Sequence, residues 1–163
     1  VCLIGASTFI VGTASGPTDV ATVLGIPHLA TDYAPFHLVP LGANDMYLPK
    51  KIMSTTSGRV RAFKDFISCC GPDPDPNTML AIILDGNLWR DHYEIEFCDN
   101  TSEEILHVVQ EMVKRLDGTQ HYSEEEKCLH ARYFERYWSK NTLKPPNTPI
   151  GTDFLRNNAE LFF

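Results

Sequence analysis

The sequence predicts an α/β domain with a small, mainly parallel β-sheet flanked by helices, and three observations carry this prediction. An apolar strand-like run, a helix and a second strand-like run follow one another with tight connections between residues 9 and 31. Two long amphipathic helices, each opened by a capping box, lie further along the chain. The chain has 163 residues, of which 43% are hydrophobic, and this is enough for one sizeable core.

The first of these units begins with Phe9–Val11, which is typical of a buried strand. Pro17 suits the first position of a helix over Pro17–Leu24, and Gly25 suits the left-handed position that ends one. A second short strand follows at Pro27–Thr31. A connection of this length between two strands favours parallel pairing through a right-handed crossover.

The middle of the chain is less regular in pattern. Pro, Gly and Asn residues interrupt positions 32–58, and we expect irregular structure there. A short helix over 65–70 and a surface loop over 71–77 should follow. Residues 78–89 are apolar without a pattern that separates helix from strand, whereas Tyr93–Phe97 alternates like a half-buried strand.

Two strong helices are predicted over Thr101–Leu116 and Ser123–Trp138, and a short closing helix over Asp153–Phe163. We expect the two long helices to pack through their apolar stripes. Alternatively, the second one crosses to another lobe. That arrangement would leave three aromatic side chains of its stripe exposed, namely Tyr133, Tyr137 and Trp138.

Composition excludes several classes of protein. The chain has 14 Lys and Arg against 21 Asp and Glu, so its net charge of −7 argues against a generic nucleic-acid binder. The five Cys residues are odd in number and follow no CxxC spacing, which favours free thiols in a reducing, cytosolic setting. No stretch approaches the ~18 apolar residues of a membrane span. Val1 starts no recognisable signal peptide, so we expect a chain cut from something longer.

The loop over residues 12–18 is the best candidate for a binding site. It joins a strand to a helix start, whose free N–H groups and partial positive charge suit a phosphate. Thr13, Ser15 and Thr18 would add hydroxyl groups. The loop matches neither the Walker motif nor the dinucleotide motif GxGxxG. A plain strand-to-helix turn, which also needs small residues, is the alternative interpretation.

Basic residues are unevenly distributed. Residues 1–49 contain no Lys or Arg, whereas residues 50–64 contain five and no acid: Lys50, Lys51, Arg59, Arg61 and Lys64. We expect Lys50 or Lys51 to supply positive charge to a diphosphate, and a solvated loop face is the alternative.

Polar side chains past the second predicted strand complete the candidate site. Asp32, Tyr33, His37 and Asn44 would share a rim with the loop at residues 12–18, since open α/β sheets bind ligands beyond the carboxyl ends of their strands. His28 is better explained as a core residue. No zinc pattern, serine-hydrolase elbow or catalytic thiol is evident, so we expect no metal and name no catalytic residue.

The stretch from Phe9 to Pro17, followed by residues 20–29, resembles the FIGxxSGxxxxAxxxGxP stretch of GT-B glycosyltransferases, including heptosyltransferases. A fuller similarity is to bacterial glycosyltransferases of surface-polysaccharide synthesis. Three further stretches carry it, over residues 44–51, 99–112 and 151–163.

The resemblance implies a two-lobed enzyme that moves a sugar from a nucleotide-sugar to a glycan or a lipid-linked acceptor. This chain would be the Rossmann-like C-terminal lobe, with a nucleotide-sugar-binding domain over 1–118 and a helical extension over 119–163. The general base would lie on the other lobe. The expected location is cytoplasmic or at the inner face of the membrane, with peripheral membrane contact through the other lobe. Neither a metal, a cofactor nor a nucleic-acid partner is expected.

The implied nucleotide-sugar contacts form one set: Gly12, Thr13, Ser15, Gly16, Pro17, Thr18, Tyr33, Lys50 and Lys51. Heptosyltransferases have Asp before the Ser-Gly pair and His after it, where this chain has Ala14 and Thr18 or Asp19. A UDP-sugar or another nucleotide-sugar is therefore as well supported as an ADP-sugar. A GT-B nucleotide-sugar epimerase and a non-catalytic α/β binding domain remain alternatives.

Overall fold

The computed structural model describes residues 2–13, 15–34, 42, 44–63, 86–91, 93–138 and 149–163. The helices in these ranges are α1 (Cys2–Gly5), α2 (Gly16–Val23), α3 (Gly86–Asp91), α4 (Ser102–Leu116), α5 (Glu124–Trp138), α6 (Thr152–Asn157) and α7 (Ala159–Phe162). The strands are β1 (Ile10–Gly12), β2 (His28–Tyr33), β3 (Met46–Pro49), β4 (Lys51–Ser54), β5 (Val60–Arg61) and β6 (Ile95–Cys98). The expected helix over 65–70, the loop over 71–77 and residues 78–85 lie outside the described ranges.

A parallel sheet with the order β1-β2-β3 forms the first part of the fold. Ile10 pairs with His28 and Gly12 with Ala30, so the predicted parallel pairing of the first two strands through a helix is confirmed. Gly25 has a φ of 69° just past α2, as predicted for the end of this helix. Residues 149–151 extend the sheet beyond β3, because Tyr47 accepts a hydrogen bond from the Gly151 N–H at 3.1 Å.

A second sheet is antiparallel, with β4 between β5 and β6. The chain passes from β3 directly into β4 through Lys50, so the predicted irregular structure over 32–58 is wrong where these strands lie. Pro49 argued against a strand, because proline lacks an N–H and is rare inside sheets. It stands beyond a register shift between β2 and β3, which is a place where a strand tolerates proline. A mainly parallel sheet therefore describes only the first of the two sheets.

The two long predicted helices are confirmed as α4 and α5, each with its capping box. In α4 the Thr101 N–H donates to Glu104 Oε2 at 2.8 Å, and the Glu104 N–H donates to Thr101 Oγ1 at 3.2 Å. The main contact partner of both helices is α6, rather than the other long helix. The predicted closing helix is divided into α6 and α7.

The aromatic stripe of α5 faces the core of the same chain. Tyr133 is 3% exposed and packs edge-on against Phe162, with 5.2 Å between ring centroids. Tyr137 is half-buried and donates its hydroxyl hydrogen to the Phe162 carbonyl oxygen at 2.7 Å. The alternative of an exposed stripe is therefore wrong for these two tyrosines, and the Trp138 side chain lies outside the described atoms.

The core joins the parallel sheet to the helices that follow it. Leu29 and Tyr47 of the parallel sheet lie in one cluster with Met112 of α4 and Leu155 of α6, each of them fully buried. Both faces of β2 are covered, since residues 28–31 are all buried. Ligand access to this sheet is therefore through its ends rather than its faces.

Candidate functional site

The carboxyl ends of the three parallel strands form a rim of the sheet. Gly12 ends β1 and leads into α2, Tyr33 ends β2, and Pro49 ends β3. The Lys50 N–H donates to the Tyr33 carbonyl oxygen at 3.0 Å, which ties the ends of β2 and β3 together. The sheet order thus brings the predicted loop and Tyr33 to the same edge.

The start of α2 is built by Ser15 and Thr18. Ser15 is the extended N-cap residue, and its N–H donates to Thr18 Oγ1 at 3.0 Å. Thr18 is buried; its hydroxyl donates to the Ser15 carbonyl oxygen at 2.6 Å, and its own N–H donates to the same oxygen at 3.0 Å. The predicted Thr18 hydroxyl and two of the predicted N–H groups are therefore already used within the turn.

The Gly16 N–H is the donor at this turn that remains open. It has no hydrogen-bond partner within the described residues, and Pro17 has no N–H to offer. A Cβ atom built on Gly16 would meet nothing within 4 Å, so there is free space beside this backbone. The side chains of Thr13 and Ser15 are exposed, and Ser15 makes no side-chain cap bond. Three donors can therefore face a ligand here.

Tyr33 lies within electrostatic reach of the same helix start. Burial raises the pKa of the Tyr33 phenol, and the Asp19 carboxylate in the first turn of α2 raises that pKa further. The phenol is therefore a neutral hydrogen-bond donor at physiological pH. The Asp19 side chain is exposed and repels an anion, so it partly offsets the positive end of α2.

His28 supports the rim from inside. It is 4% exposed, and its Nε2 atom lies 3.4 Å from the Gly12 carbonyl oxygen at the end of β1. Its N–H donates to Asp45 Oδ1 at 2.8 Å. Burial lowers the pKa of the His28 imidazole, and the ring is therefore neutral near pH 7. The prediction of a core histidine is confirmed.

Lys50 and Lys51 point to different carboxylates. Lys50 Nζ lies 2.5 Å from Asp99 Oδ1, and the Asp99 side chain is 76% exposed. Lys51 Nζ lies 2.6 Å from Glu104 Oε1, which is sheltered at the start of α4, and 5.8 Å from the Phe154 ring centroid. A phosphate that binds Lys50 would have to displace Asp99, and one that binds Lys51 would have to displace Glu104. The solvated pair at Lys50 is the easier one to exchange, because exposed ion pairs contribute little free energy.

Asp32 has a second role that the sequence does not indicate. Its backbone is left-handed, with a φ of 50°, and its N–H donates to Asn100 Oδ1 at 2.8 Å. The Asn100 N–H returns a bond to Asp32 Oδ1 at 2.6 Å, and Asn100 Nδ2 donates to the Pro49 carbonyl oxygen at 2.9 Å. This reciprocal pair fixes the start of α4 against the rim. Asp is one of the residue types that tolerate a left-handed backbone. Its partner Asn100 lies too far along the chain for this pair to be inferred from the sequence.

A buried polar cluster at the start of α6 also escaped the sequence analysis. Glu111 accepts hydrogen bonds from the Thr152 N–H at 2.8 Å, the Thr152 hydroxyl at 2.6 Å and the Tyr122 hydroxyl at 2.8 Å. His130 Nε2 lies 2.9 Å from Thr152 Oγ1, and burial lowers the pKa of this imidazole. Because Gly151 has no side chain to cap α6, the Glu111 carboxylate caps it instead.

The described part of the chain includes no group of three or more His, Cys, Asp or Glu side chains placed to hold a metal ion. None of its helices is long and apolar enough to cross a membrane. Comparisons with protein-family models, curated proteins and solved structures found no match.

Proposed function

We propose that this chain is the donor-binding part of a glycosyltransferase that uses a nucleotide-sugar. The observation that carries the proposal is the parallel β1–α2–β2 unit, whose turn leaves the Gly16 N–H open at the rim of the sheet. The resemblance to GT-B glycosyltransferases over residues 9–29 covers this same unit. Rims of this kind are the usual ligand sites of open α/β sheets.

The diphosphate would lie at the start of α2. The Gly16 N–H and the hydroxyls of Thr13 and Ser15 would donate hydrogen bonds to its oxygens, aided by the positive end of the helix. Tyr33 would add a neutral donor. Lys50 would exchange the exposed Asp99 carboxylate for a phosphate oxygen.

In this proposal the chain holds the leaving group of the reaction. The bond between the sugar and the diphosphate breaks, and the acceptor hydroxyl forms a new bond to the sugar. Charge that accumulates on the departing diphosphate would be stabilised by the donors at α2. The acceptor would be a glycan or a lipid-linked molecule, and the base that takes its proton would come from another lobe. The reaction would take place on the cytoplasmic side of a membrane.

Gly16→Val tests the site. The new side chain would meet open space in the folded protein, yet it would fill the position of the phosphate. We expect the unmodified chain to bind UDP or ADP in titration calorimetry, and Gly16→Val to bind at least about ten-fold more weakly, equivalent to ~1.4 kcal/mol.

Thr22→Val is the matched control, because it places the same side chain at the exposed far end of α2. It should bind nucleotide like the unmodified chain. The proposal is wrong if the unmodified chain binds neither nucleotide, or if Gly16→Val binds as tightly as Thr22→Val.

The reaction class needs a separate assay with the complete enzyme. Sugar transfer that depends on an added acceptor would support a glycosyltransferase. Conversion of the nucleotide-sugar into its epimer without an acceptor would instead identify an epimerase.

A further inference from the structure

β1 is the outer strand of the parallel sheet, and no strand pairs with its outer edge within the described part of the chain. The Ile10 N–H donates to the Pro27 carbonyl oxygen at 3.0 Å, and Gly12 follows in register opposite Ala30. Ile10 and Gly12 therefore direct their backbone groups towards β2. Because alternate residues of a strand direct these groups to opposite sides, the N–H and C=O of Val11 point away from the sheet.

Val11 offers both its backbone groups and an apolar side chain to a partner. Its N–H has no hydrogen-bond partner among the described residues, and the residue is 46% exposed although it lies in a strand. An unpaired strand edge of this kind is a template for a strand of another chain.

The edge of β1 lacks the charged side chains that commonly protect a free edge. Residues 1–18 contain no Asp, Glu, Lys or Arg, although the whole chain has a net charge of −7. The outer strands of the antiparallel sheet differ, since β5 follows Arg59 and contains Arg61, and β6 contains Glu96. Two copies of this acidic chain can therefore meet at β1 without like charges on the pairing strands.

We infer that β1 pairs antiparallel with β1 of a second copy of this chain, about a two-fold axis at Val11. In this register each Val11 N–H donates to the Val11 carbonyl oxygen of the other copy, which is the hydrogen-bonded pair of an antiparallel ladder. The same patch serves both copies, as a two-fold interface requires, and the two three-stranded sheets join into one. The two Val11 side chains lie beside each other on one face, so the pairing also buries apolar surface.

Analytical ultracentrifugation over a range of protein concentrations tests the pairing. The unmodified chain should approach twice the mass of one chain as its concentration rises. Val11→Lys places two like charges beside each other across the axis, and it should raise the dissociation constant of the dimer at least about ten-fold. Val11→Pro should act in the same direction, because it removes the outward N–H and no hydrogen bond within the chain. Circular dichroism checks that both variants fold like the unmodified chain.

Val60→Lys is the matched control, because Val60 is 45% exposed in the outer strand β5, and this variant should dimerise like the unmodified chain. Amide hydrogen exchange tests the unmodified chain directly: the Val11 N–H should exchange more slowly at concentrations that favour the dimer. The pairing is overturned by a chain that stays monomeric at every concentration, or by a dimer whose Val11 N–H exchanges as fast as in the monomer. A folded Val11→Lys variant that dimerises normally, or an equal loss in Val60→Lys, overturns it as well.

Discussion

The helices α2 and α4 begin with related sequences and end up with different helix starts. At α4, Thr101 and Glu104 form a complete capping box, and the Glu104 carboxylate occupies the positive end of the helix. At α2, Thr18 stands where Glu104 stands in α4. Its short hydroxyl bonds only to Ser15, and the Gly16 N–H is left without a partner in the described part of the chain. One residue in the box thus decides whether a glutamate carboxylate of the chain bonds at the helix start.

The start of α6 is also capped by a glutamate carboxylate, which here comes from another helix. Gly151 offers no cap, and Glu111 of α4 supplies the carboxylate from within the core. The starts of α4 and α6 are therefore both closed by glutamate. At the start of α2, within the described residues, no carboxylate accepts a hydrogen bond from the helix, and a Cβ atom built on Gly16 would meet nothing within 4 Å.

The largest effect should come from removing the Glu111 carboxylate that caps the buried start of α6. Glu111→Ala would leave Thr152 and Tyr122 without their acceptor, and we expect a loss of about 3 kcal/mol in the free energy of unfolding. Urea denaturation measures this loss. The matched control is Glu125→Ala on the exposed side of α5, which should change stability by less than about 0.5 kcal/mol. Equal losses in both variants would show that Glu111 is not a cap.

The second-largest effect should come from adding a carboxylate at the start of α2. Ser15→Asp places a carboxylate at the N-cap, which should stabilise the helix by up to about 1 kcal/mol and weaken binding of UDP or ADP by about ten-fold or more. Stability and affinity would therefore change in opposite directions in one protein. Ser15→Asn caps without a charge and should weaken nucleotide binding much less. Unchanged affinity in Ser15→Asp would contradict a phosphate at this position.

The smallest effect should be the difference in stability between alanine variants of the two N-cap residues, Thr101 and Ser15. Thr101→Ala removes a formed cap bond and should destabilise the protein by about 1 kcal/mol. Ser15→Ala removes a hydroxyl that makes no cap bond, so its cost should be well below that of Thr101→Ala. Chemical denaturation of both variants in the same buffer measures the difference. A cost at Ser15 as large as at Thr101 would mean that α2 is capped like α4.

Local patterns could be read from the sequence, and long-range ones could not. The capping boxes depend on residues three apart, and the β1–α2–β2 unit on one continuous stretch of the chain; these predictions are confirmed. The strands β3 and β4 were missed because their burial depends on distant partners, such as Ile150 beside Tyr47.

The same distinction applies to the candidate site. The turn at Gly16 and the neighbouring Tyr33 follow from the order of strands and helix. The Asp99 partner of Lys50 and the Asn100 partner of Asp32 come from far along the chain, and no spacing rule predicts them. The sequence could therefore locate the rim but not show which of its charges are already paired.

The most direct test of the central claim is a titration of the isotope-labelled chain with UDP and with ADP, followed by the amide resonances of Gly16 and of Thr101–Glu104. A phosphate that accepts the Gly16 N–H should shift that resonance downfield in a saturable manner, while the closed start of α4 stays unchanged. A Gly16 resonance that does not move with either nucleotide, or that moves no more than those at α4, would contradict the account.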